Sequence, residues 1–305
     1  MRSRSVATFA AALFALTSTS GCIKKTLIKG QIDGIAEAAP AIDTFSDVEV
    51  ARGAAFAGLS QLEGLHKLLP SSDKGLYLLA KGWAGAAFAF IEDDAESADD
   101  KGDGASADYH RARARAAYDR ALAYGVELLE RDHKGFETAR RDSDSMHAWL
   151  KEFDDADDAA ELLWVGQAWV SRVNVASDDP DLVAELFVGV AMLEQSVALD
   201  ETLFYGLGHT ILGAYHARTA MGELDESLQH FQRALAINGG KALLTKFQMA
   251  RSYYCQKSDQ ASYEKTLREI LAAGDTLPEQ RLQNSLAKRR ARRYLGITRE
   301  RNCGF

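Results

Sequence analysis

Proline is scarce in this chain, and its placement favours long helices. The four prolines among 305 residues are Pro40, Pro70, Pro180 and Pro278, and none interrupts a long segment of periodic apolar residues. Proline removes a backbone donor and clashes with the preceding turn, so a helix rarely continues through it. The sequence therefore leaves long stretches in which helices can run without a break.

Apolar residues recur with the helical period between the prolines. Spacings of three and four place side chains on one helix face, and they connect Leu76, Leu79, Trp83, Ala87 and Phe90. Alternating runs of β-branched residues, which would indicate strands, are hard to find. The sequence predicts an all-α fold, with helices at 49–69, 75–92, 106–131, 144–152, 156–176, 181–199, 203–220, 224–237, 241–257, 259–273 and 279–295.

The predicted helices are joined by short gaps, which favour antiparallel helical hairpins. One core pattern, large-x-x-small-large, occurs twice at a separation of 38 residues. It is formed by Leu193, Ser196 and Val197, and again by Phe231, Ala234 and Leu235. A small residue three positions after a large one lets a neighbouring helix pack closely, as tetratricopeptide-like repeats require. We expect stacked helical hairpins that form a degenerate tetratricopeptide-like array.

The first 21 residues have the composition of a secretory signal peptide. Arg2 and Arg4 precede an apolar run that is too short to span a bilayer, and small residues follow it. The placement of Cys22 directly after this segment resembles a bacterial lipobox, although Thr19 stands where that motif usually has leucine. We expect cleavage before Cys22 and acylation of Cys22, which would tether an acidic protein to a membrane by its lipid alone.

These features divide the chain into four predicted parts. They are a signal peptide (1–21), a tether with a first short helix (22–48), a helical-repeat domain (49–297) and a C-terminal tail (298–305). In an oxidising periplasm Cys255 and Cys303 could pair. The preferred interpretation is two unpaired thiols, one in a helix and one in a frayed tail.

Charge excludes some partners. A formal net charge of −8 argues against nucleic acid, because phosphate binding requires a clustered positive surface. The basic run Lys288–Arg293 ends a predicted helix, where cations complement the helix dipole.

The acidic stretch 92–108 lacks calcium-loop spacing, because Lys101 takes the third ligand position counted from Asp99. We interpret that stretch as a solvated loop.

The sequence contains no recognisable catalytic or metal motif. A Gly-x-Ser-x-Gly elbow and a Gly-x-x-x-x-Gly-Lys phosphate loop are both missing. His209 and His216 are seven residues apart on one helix face, without the pattern of a zinc site, and are interpreted as surface or interface residues. Glycines inside helical patterns at 82, 85, 206, 208 and 213 indicate close helix packing. We expect a non-enzymatic protein with no cofactor and no metal.

Four stretches in a fixed order give the chain a resemblance to a known family. They are Arg131–Phe136, with Lys134 where the family has proline; Leu163-Trp164 with Ala168-Trp169 and Ser177–Pro180; His230–Leu235 leading to Gly239-Gly240; and Arg281–Ala291 ending at Leu295. Together they resemble the T-component family of TRAP (tripartite ATP-independent periplasmic) transporters, TatT. The likeness extends over essentially the whole mature chain.

The resemblance implies a periplasmic lipoprotein, anchored to a bacterial membrane that we expect to be the outer one. It implies helical hairpins around a hydrophobic pore or cavity, a solute-binding protein of the transporter as partner, and self-association, with a trimer as the suggested form. The expected ligand is an apolar or amphipathic small molecule, such as an organic acid or lipid. The alternative function is a general tetratricopeptide scaffold for cell-envelope assembly.

Five residues are candidates for contact with a ligand or partner. Trp164 and Trp169 are five positions apart, which separates their indoles by about 140° on a helix, so at most one points straight into the core. Asn174 is a polar residue near the end of the same helix, and Tyr215 lies on the first helix of the clearest repeat unit. His209 is the fifth candidate. Core packing is the competing interpretation for both tryptophans.

Overall fold

The computed structural model of the chain describes residues 23–218 and 223–305. Within these two ranges the regular structure is helical and contains no β-strand, which confirms the predicted all-α fold. The helices are α1 (23–38), α2 (Val48–Leu68), α3 (Asp73–Ala86), α4 (Glu92–Asp100), α5 (Gly104–Asp132), α6 (Phe136–Ala139), α7 (Ser143–Leu150), α8 (Ala156–Val175), α9 (Pro180–Ala184), α10 (Leu186–Leu199), α11 (Leu203–Arg218), α12 (Leu224–Asn238), α13 (Leu243–Met249), α14 (Gln260–Ala272), α15 (Arg281–Tyr294) and α16 (Ile297–Asn302).

Four shorter helical turns complete the architecture. Ala87–Ile91 joins α3 to α4 as a π-helical turn, and Ala250–Tyr254 continues α13 in the same way. Ala39–Thr44 and Pro278–Gln280 are 3₁₀ turns, each with its proline at the start. The predicted helices agree with these bounds to within a few residues, apart from the acidic stretch after Ile91.

Side-chain caps explain why most of the long helices begin where they do. The first backbone N–H groups of a helix lack internal partners, and a polar side chain just before them can accept their hydrogen bonds. Asp179 does this for Leu182, with Pro180 at the first helical position, as the sequence predicts. The same role is taken by Asp47, Ser72, Asp103, Asp142, Asp155 and Asp259.

Helices that are close in sequence pack in pairs, among them α2 with α3, α8 with α10 across the short α9, and α11 with α12. The two occurrences of the large-x-x-small-large pattern both lie on the second helix of such a pair. Leu193 and Phe231 are fully buried, and the small residues Ser196 and Ala234 lie close to the neighbouring helix. The tetratricopeptide-like repeat itself stays a prediction.

The N-terminal and C-terminal segments share one core. Ile28 and Ile32 of α1 are buried together with Leu59 of α2 and Leu286 of α15. The segment predicted as a tether, 22–48, is therefore helical from residue 23 to residue 44 and packs against the rest of the chain. The predicted signal peptide and Cys22 lie outside the described residues.

The acidic stretch 92–108 is not a solvated loop, and that prediction is wrong. Residues 92–100 form α4, and Asp93 is only 1% exposed. Its carboxylate lies 2.7 Å from Arg293 and 3.4 Å from Arg290, which is itself 1% exposed. The basic run does end α15, with Arg293 in its last turn as predicted, but Arg290 and Arg293 also form ion pairs with Asp93. We call the whole group the ion-pair network: Asp93, Glu96, Asp100, Arg251, Arg290, Arg293 and Arg299.

Cys255 and Cys303 form a disulfide, so the preference for two unpaired thiols is wrong. Their Cα atoms are 4.8 Å apart although 48 positions separate them in sequence. The predicted C-terminal tail folds back as α16, where Arg299 contacts Asp100 and the Phe305 ring contacts Tyr263. This return of the chain brings the two sulfur atoms together.

One described stretch, Pro180–Leu199, is long and apolar enough to cross a membrane by length and composition alone. It consists of α9 and α10, and Val188, Met192 and Leu193 within it are fully buried by other helices. A buried core helix satisfies the same length and hydropathy criteria.

Candidate functional site

A cavity of about 670 Å³ lies among the helices of the described chain. Its wall is formed by α3, α8, α11, α13 and α15, with Asp43 of the first 3₁₀ turn at one side. Pockets that hold small molecules have volumes of about 300–1,000 Å³ and mostly apolar walls with a few polar groups. We call this space the central cavity.

One face of α3 and the turn after it supplies a stripe of the cavity wall. Lys81, Gly85, Phe88 and Glu92 line the central cavity at spacings of four, three and four. Those spacings place them on one side of a helix. The π-helical turn Ala87–Ile91 contains Phe88, and such turns frequently mark functional sites because they shift the direction of side chains.

A strained backbone segment forms another part of the wall. Phe204 and Tyr205 both line the central cavity and have positive φ angles of 46° and 63°. Bulky residues rarely occupy this left-handed region, and such strain clusters at functional sites. Gly206 follows with φ 79°, and a Cβ there would lie 3.2 Å from the backbone of Ala234. Glycine is therefore required both for the turn and for the close approach of α12.

The second π-helical turn, Ala250–Tyr254, contributes Arg251 to the same cavity. Arg251 donates to Glu96 over 3.0 Å, so it belongs to the ion-pair network as well as to the cavity wall. The two π-helical turns and the left-handed segment thus all border one space.

One end of the central cavity is aromatic. The Lys81 Nζ atom lies 4.6 Å from the centre of the Phe204 ring and 5.5 Å from that of Trp164. The two rings meet edge to face at 5.1 Å. Burial lowers the pKa of Lys81, whereas the negative charge of Asp43 acts to raise it, and burial raises the pKa of Asp43. The cation is thus held by ring faces and by a nearby carboxyl group.

The other end of the central cavity carries Arg218, the last residue of α11. The positive charge of Arg251, followed by burial, lowers the pKa of Arg218 to about 10. Glu92 also lines this part, where it accepts a hydrogen bond from the Tyr118 hydroxyl. Burial raises the pKa of Glu92 and so favours its neutral form.

The structure brings three of the five predicted contact residues together. Trp164, Asn174 and Tyr215 all line the central cavity. Trp169 lies in the hydrophobic core instead, 2% exposed and packed against Phe136 and beneath Arg172. The two indoles of α8 therefore do point in different directions, one to the cavity and one to the core.

His209 lies outside the cavity wall, in a cluster of histidines between α11 and α12. Its Nδ1 atom is 2.8 Å from His230 Nδ1, and the His230 ring stacks on His216. Burial, and then the neighbouring imidazoles, lower the pKa of His230 to about 4. His209 and His216 are each 8% exposed, so they lie in the interface between two helices and not on the protein surface.

Part of this cluster has the donor types of a divalent metal site. His216 Nδ1 and one oxygen each of Glu223 and Glu226 lie within 4.8 Å of one another. The Glu223 oxygen is 2.6 Å from the nitrogen, within hydrogen-bond distance, and the Glu226 oxygen is 3.2 Å from it. These contacts account for the arrangement without an ion.

Glycines in the predicted helices serve two purposes. A Cβ on Gly82 would lie 2.8 Å from Leu59, one on Gly208 would lie 2.6 Å from Val197, and one on Gly213 would lie 3.0 Å from Phe231. Close helix packing explains these three positions, as predicted. Gly85 differs, because a Cβ there meets nothing within 4 Å and the residue borders the central cavity.

The sequence model of TRAP transporter T-components (TAtT) matches residues 44–300. This chain belongs to the TRAP transporter T-component family. Membership confirms the resemblance and indicates an accessory role in TRAP transport and an envelope location. A comparison of this T-component with curated proteins gives no match. The matched range includes α2 to α15 and thus nearly the whole cavity wall.

Lys81, Phe204 and Arg218 are wall residues of the T-component that sequence reasoning missed. Lys81 shares a helix face with Gly85 and Phe88. A single cation on a mostly apolar helix face could have indicated that this face lines a binding cavity. Arg218 follows an apolar stripe on α11 in the same way. The turn at Phe204 was missed because the glycines that follow it, Gly206 and Gly208, were interpreted as signs of close helix packing.

Proposed function

We propose that this T-component binds a hydrophobic or amphipathic ligand in the central cavity and acts with the solute-binding protein of a TRAP transporter. The protein catalyses no reaction in this proposal. The central cavity is the observation that carries it, because its size and its largely apolar wall suit a small molecule.

The backbone around the cavity supports a binding role. Left-handed Phe204 and Tyr205 cost free energy, and such strain persists where the surrounding structure and function maintain it. Two π-helical turns border the same space. Trp164, Asn174 and Tyr215 are the proposed contact residues from α8 and α11. Trp169 and His209 are left out, because neither lines the cavity.

A substitution at Gly85 tests whether the cavity holds a ligand. Gly85 borders the central cavity, and a Cβ there would have nothing within 4 Å, so leucine can enter at this position and fill part of the cavity. We expect Gly85→Leu to fold and to lose the small molecules that native mass spectrometry and solvent extraction recover from the purified wild type. Gly64→Leu, on an open face of α2, is the matched control. Equal recovery from Gly85→Leu and wild type would refute cavity binding.

The proposed location is the periplasm, with an acyl anchor at Cys22 in the outer membrane. The Cys255–Cys303 disulfide supports an oxidising compartment. We expect Cys22→Ser to move the protein from the membrane fraction to the soluble fraction. Retention of that variant in the membrane would refute the lipid anchor.

The proposed partner is the extracytoplasmic solute-binding protein, and the proposed assembly is a homotrimer. Pull-down of the mature protein from native periplasm is expected to recover that solute-binding protein, and light scattering is expected to give three times the monomer mass. The alternative, a scaffold for envelope assembly, predicts recovery of cell-wall enzymes or outer-membrane assembly factors instead. Membership in the transporter family favours the first function.

A further inference from the structure

Three cations line the central cavity, and two of them, Lys81 and Arg218, differ in how they are neutralised. Lys81 lies over two aromatic rings and within the field of Asp43. Arg218 forms no ion pair with any carboxylate in residues 23–218 and 223–305. The segment between those ranges, 219–222, contains no acidic residue. Arg218 therefore has a charge without a countercharge at contact distance.

The nearest groups leave the Arg218 charge uncompensated. Arg251 is a second cation at this end, and its own guanidinium is committed to Glu96 at 3.0 Å. Tyr294, Glu92 and Glu96 act on Arg218 from beyond ion-pair distance. Burial favours the neutral form of Glu92, and Glu96 already pairs with Arg251 and Arg293. Arg218 still keeps an exposed side chain, because it faces the open space of the cavity.

An apolar stripe leads from the aromatic end to Arg218. Leu207, Ile211, Ala214 and Arg218 of α11 all line the central cavity at spacings of four, three and four. With a rise of about 1.5 Å per residue, this stripe is about 16 Å long. Phe204, which contacts Lys81, lies just before its first residue. Lys81 and Arg218 are therefore at opposite ends of an elongated apolar wall.

We infer that Arg218 binds the anionic headgroup, a carboxylate or phosphate, of an amphipathic ligand. The apolar chain of that ligand lies along Ala214, Ile211 and Leu207 toward Trp164 and Phe204. A planar guanidinium donates two parallel hydrogen bonds to such oxyanions, and this paired geometry makes the contact strong and specific. This assignment rests on the proposed function, because it requires the ligand to occupy the central cavity.

The test compares probes that share one alkyl chain. Dodecanoate, dodecyl phosphate and 1-dodecanol are titrated with the mature protein by calorimetry. The two anions are kept below their critical micelle concentrations and the alcohol below its solubility limit. We expect the wild type to bind at least one anionic probe about tenfold or more tighter than the alcohol, a difference of about 1.4 kcal/mol. The two anionic probes distinguish a carboxylate headgroup from a phosphate headgroup.

Substitutions then locate the headgroup. Arg218→Leu is expected to remove the preference for the anion while 1-dodecanol still binds, and Arg218→Lys is expected to restore part of that preference. Arg268→Leu, on the exposed face of α14, is the matched control for loss of one surface arginine. Lys81→Met examines the opposite end of the cavity.

Three results would overturn the assignment. They are equal binding of anion and alcohol by the wild type, an unchanged preference in Arg218→Leu, and loss of the preference in Lys81→Met with its retention in Arg218→Leu. In each case binding itself persists, so the proposed function stands and only the headgroup assignment fails. Absence of binding by all probes, together with no effect of Gly85→Leu on extracted ligands, would overturn both.

Discussion

The central cavity and the ion-pair network both contain charged side chains, yet they treat the charges differently. In the network, Asp93 and Arg290 are each 1% exposed and pair with each other. In the cavity, Arg218 faces an apolar wall without a carboxylate at contact distance among the described residues. Arg251 stands at the border and is paired on the network side.

This contrast separates charges that maintain the fold from a charge that is available to a ligand. A buried ion is tolerated when opposite charges and hydrogen bonds compensate its loss of water. The network satisfies that condition with several arginines and carboxylates from distant parts of the chain. The cavity leaves it unsatisfied at Arg218, and an anionic headgroup would complete the pairing.

Replacing one arginine in each region gives the largest expected difference. Arg290→Met removes a buried cation from Asp93 and its donor from the Phe88 carbonyl, so we expect a loss of about 3–5 kcal/mol in unfolding free energy. Arg218→Met removes an uncompensated charge beside Arg251, and we expect a change of less than about 1 kcal/mol. Urea denaturation of both variants measures these values. Similar losses of unfolding free energy in the two variants would contradict the proposed difference between a charge that maintains the fold and a charge that is available to a ligand.

Removal of the disulfide is expected to have the next largest effect on unfolding free energy, without an effect on ligand binding in the central cavity. Replacing Cys255 and Cys303 together by serine frees α16, which carries Arg299 to Asp100. We expect a loss of about 2–4 kcal/mol in unfolding free energy. Binding of ligand in the central cavity should persist in the folded variant, as measured by calorimetry with the same alkyl probes. Loss of binding in a folded variant would show that the two regions are coupled.

Acid titration tests the network through Glu96. Burial acts to raise the pKa of this carboxyl, but the charges of Arg290, Arg251, Arg293 and Arg299 prevail and lower it to about 2, against 4.5 for the unfolded chain. Because the folded pKa is the lower one, its stabilising contribution is present above pH 4.5 and is lost as the pH falls toward 2.

The stability difference between wild type and Glu96→Gln should therefore shrink by about 1 kcal/mol between about pH 6 and about pH 3.5. Chemical denaturation at both pH values measures it, and Glu279→Gln, at an exposed position outside the ion-pair network, serves as the control carboxyl. A difference that stays constant over this range would mean that Glu96 is not held ionised by the network.

The smallest expected effect concerns free space beside α3. Gly85→Ala adds a methyl group where nothing lies within 4 Å, so the gain in helix propensity should raise the unfolding free energy by about 0.5–1 kcal/mol. Gly82→Ala, one turn earlier, would place its Cβ 2.8 Å from buried Leu59. Because that side chain would have to shift, we expect a smaller increase in unfolding free energy for Gly82→Ala than for Gly85→Ala. Thermal unfolding compares the two. A larger gain for Gly82→Ala would show that the wall is not open at Gly85.

The candidate site was partly predictable. Trp164, Asn174 and Tyr215 were found because aromatic and polar residues stood out on apolar helices, and all three line the cavity. Trp169 carried the same signal but lies in the core, because a spacing of five residues shows that two indoles diverge and not which one faces the cavity. The apolar stripe before Arg218 was a sequence signal for it, but only the structure showed that no carboxylate of the described residues forms an ion pair with it.

The sequence by itself determined the helices. Their hydrogen bonds join residues four apart, and their caps, apolar periods and prolines are equally local, so the pattern along the chain is sufficient to predict them. Tertiary structure alone decided that the acidic stretch is a helix. Arg290 and Asp93 are 197 positions apart, and only packing of α15 on α4 brings them into contact. The Cys255–Cys303 pair and the central cavity were decided in the same way, because both depend on distances between helices that no local pattern encodes.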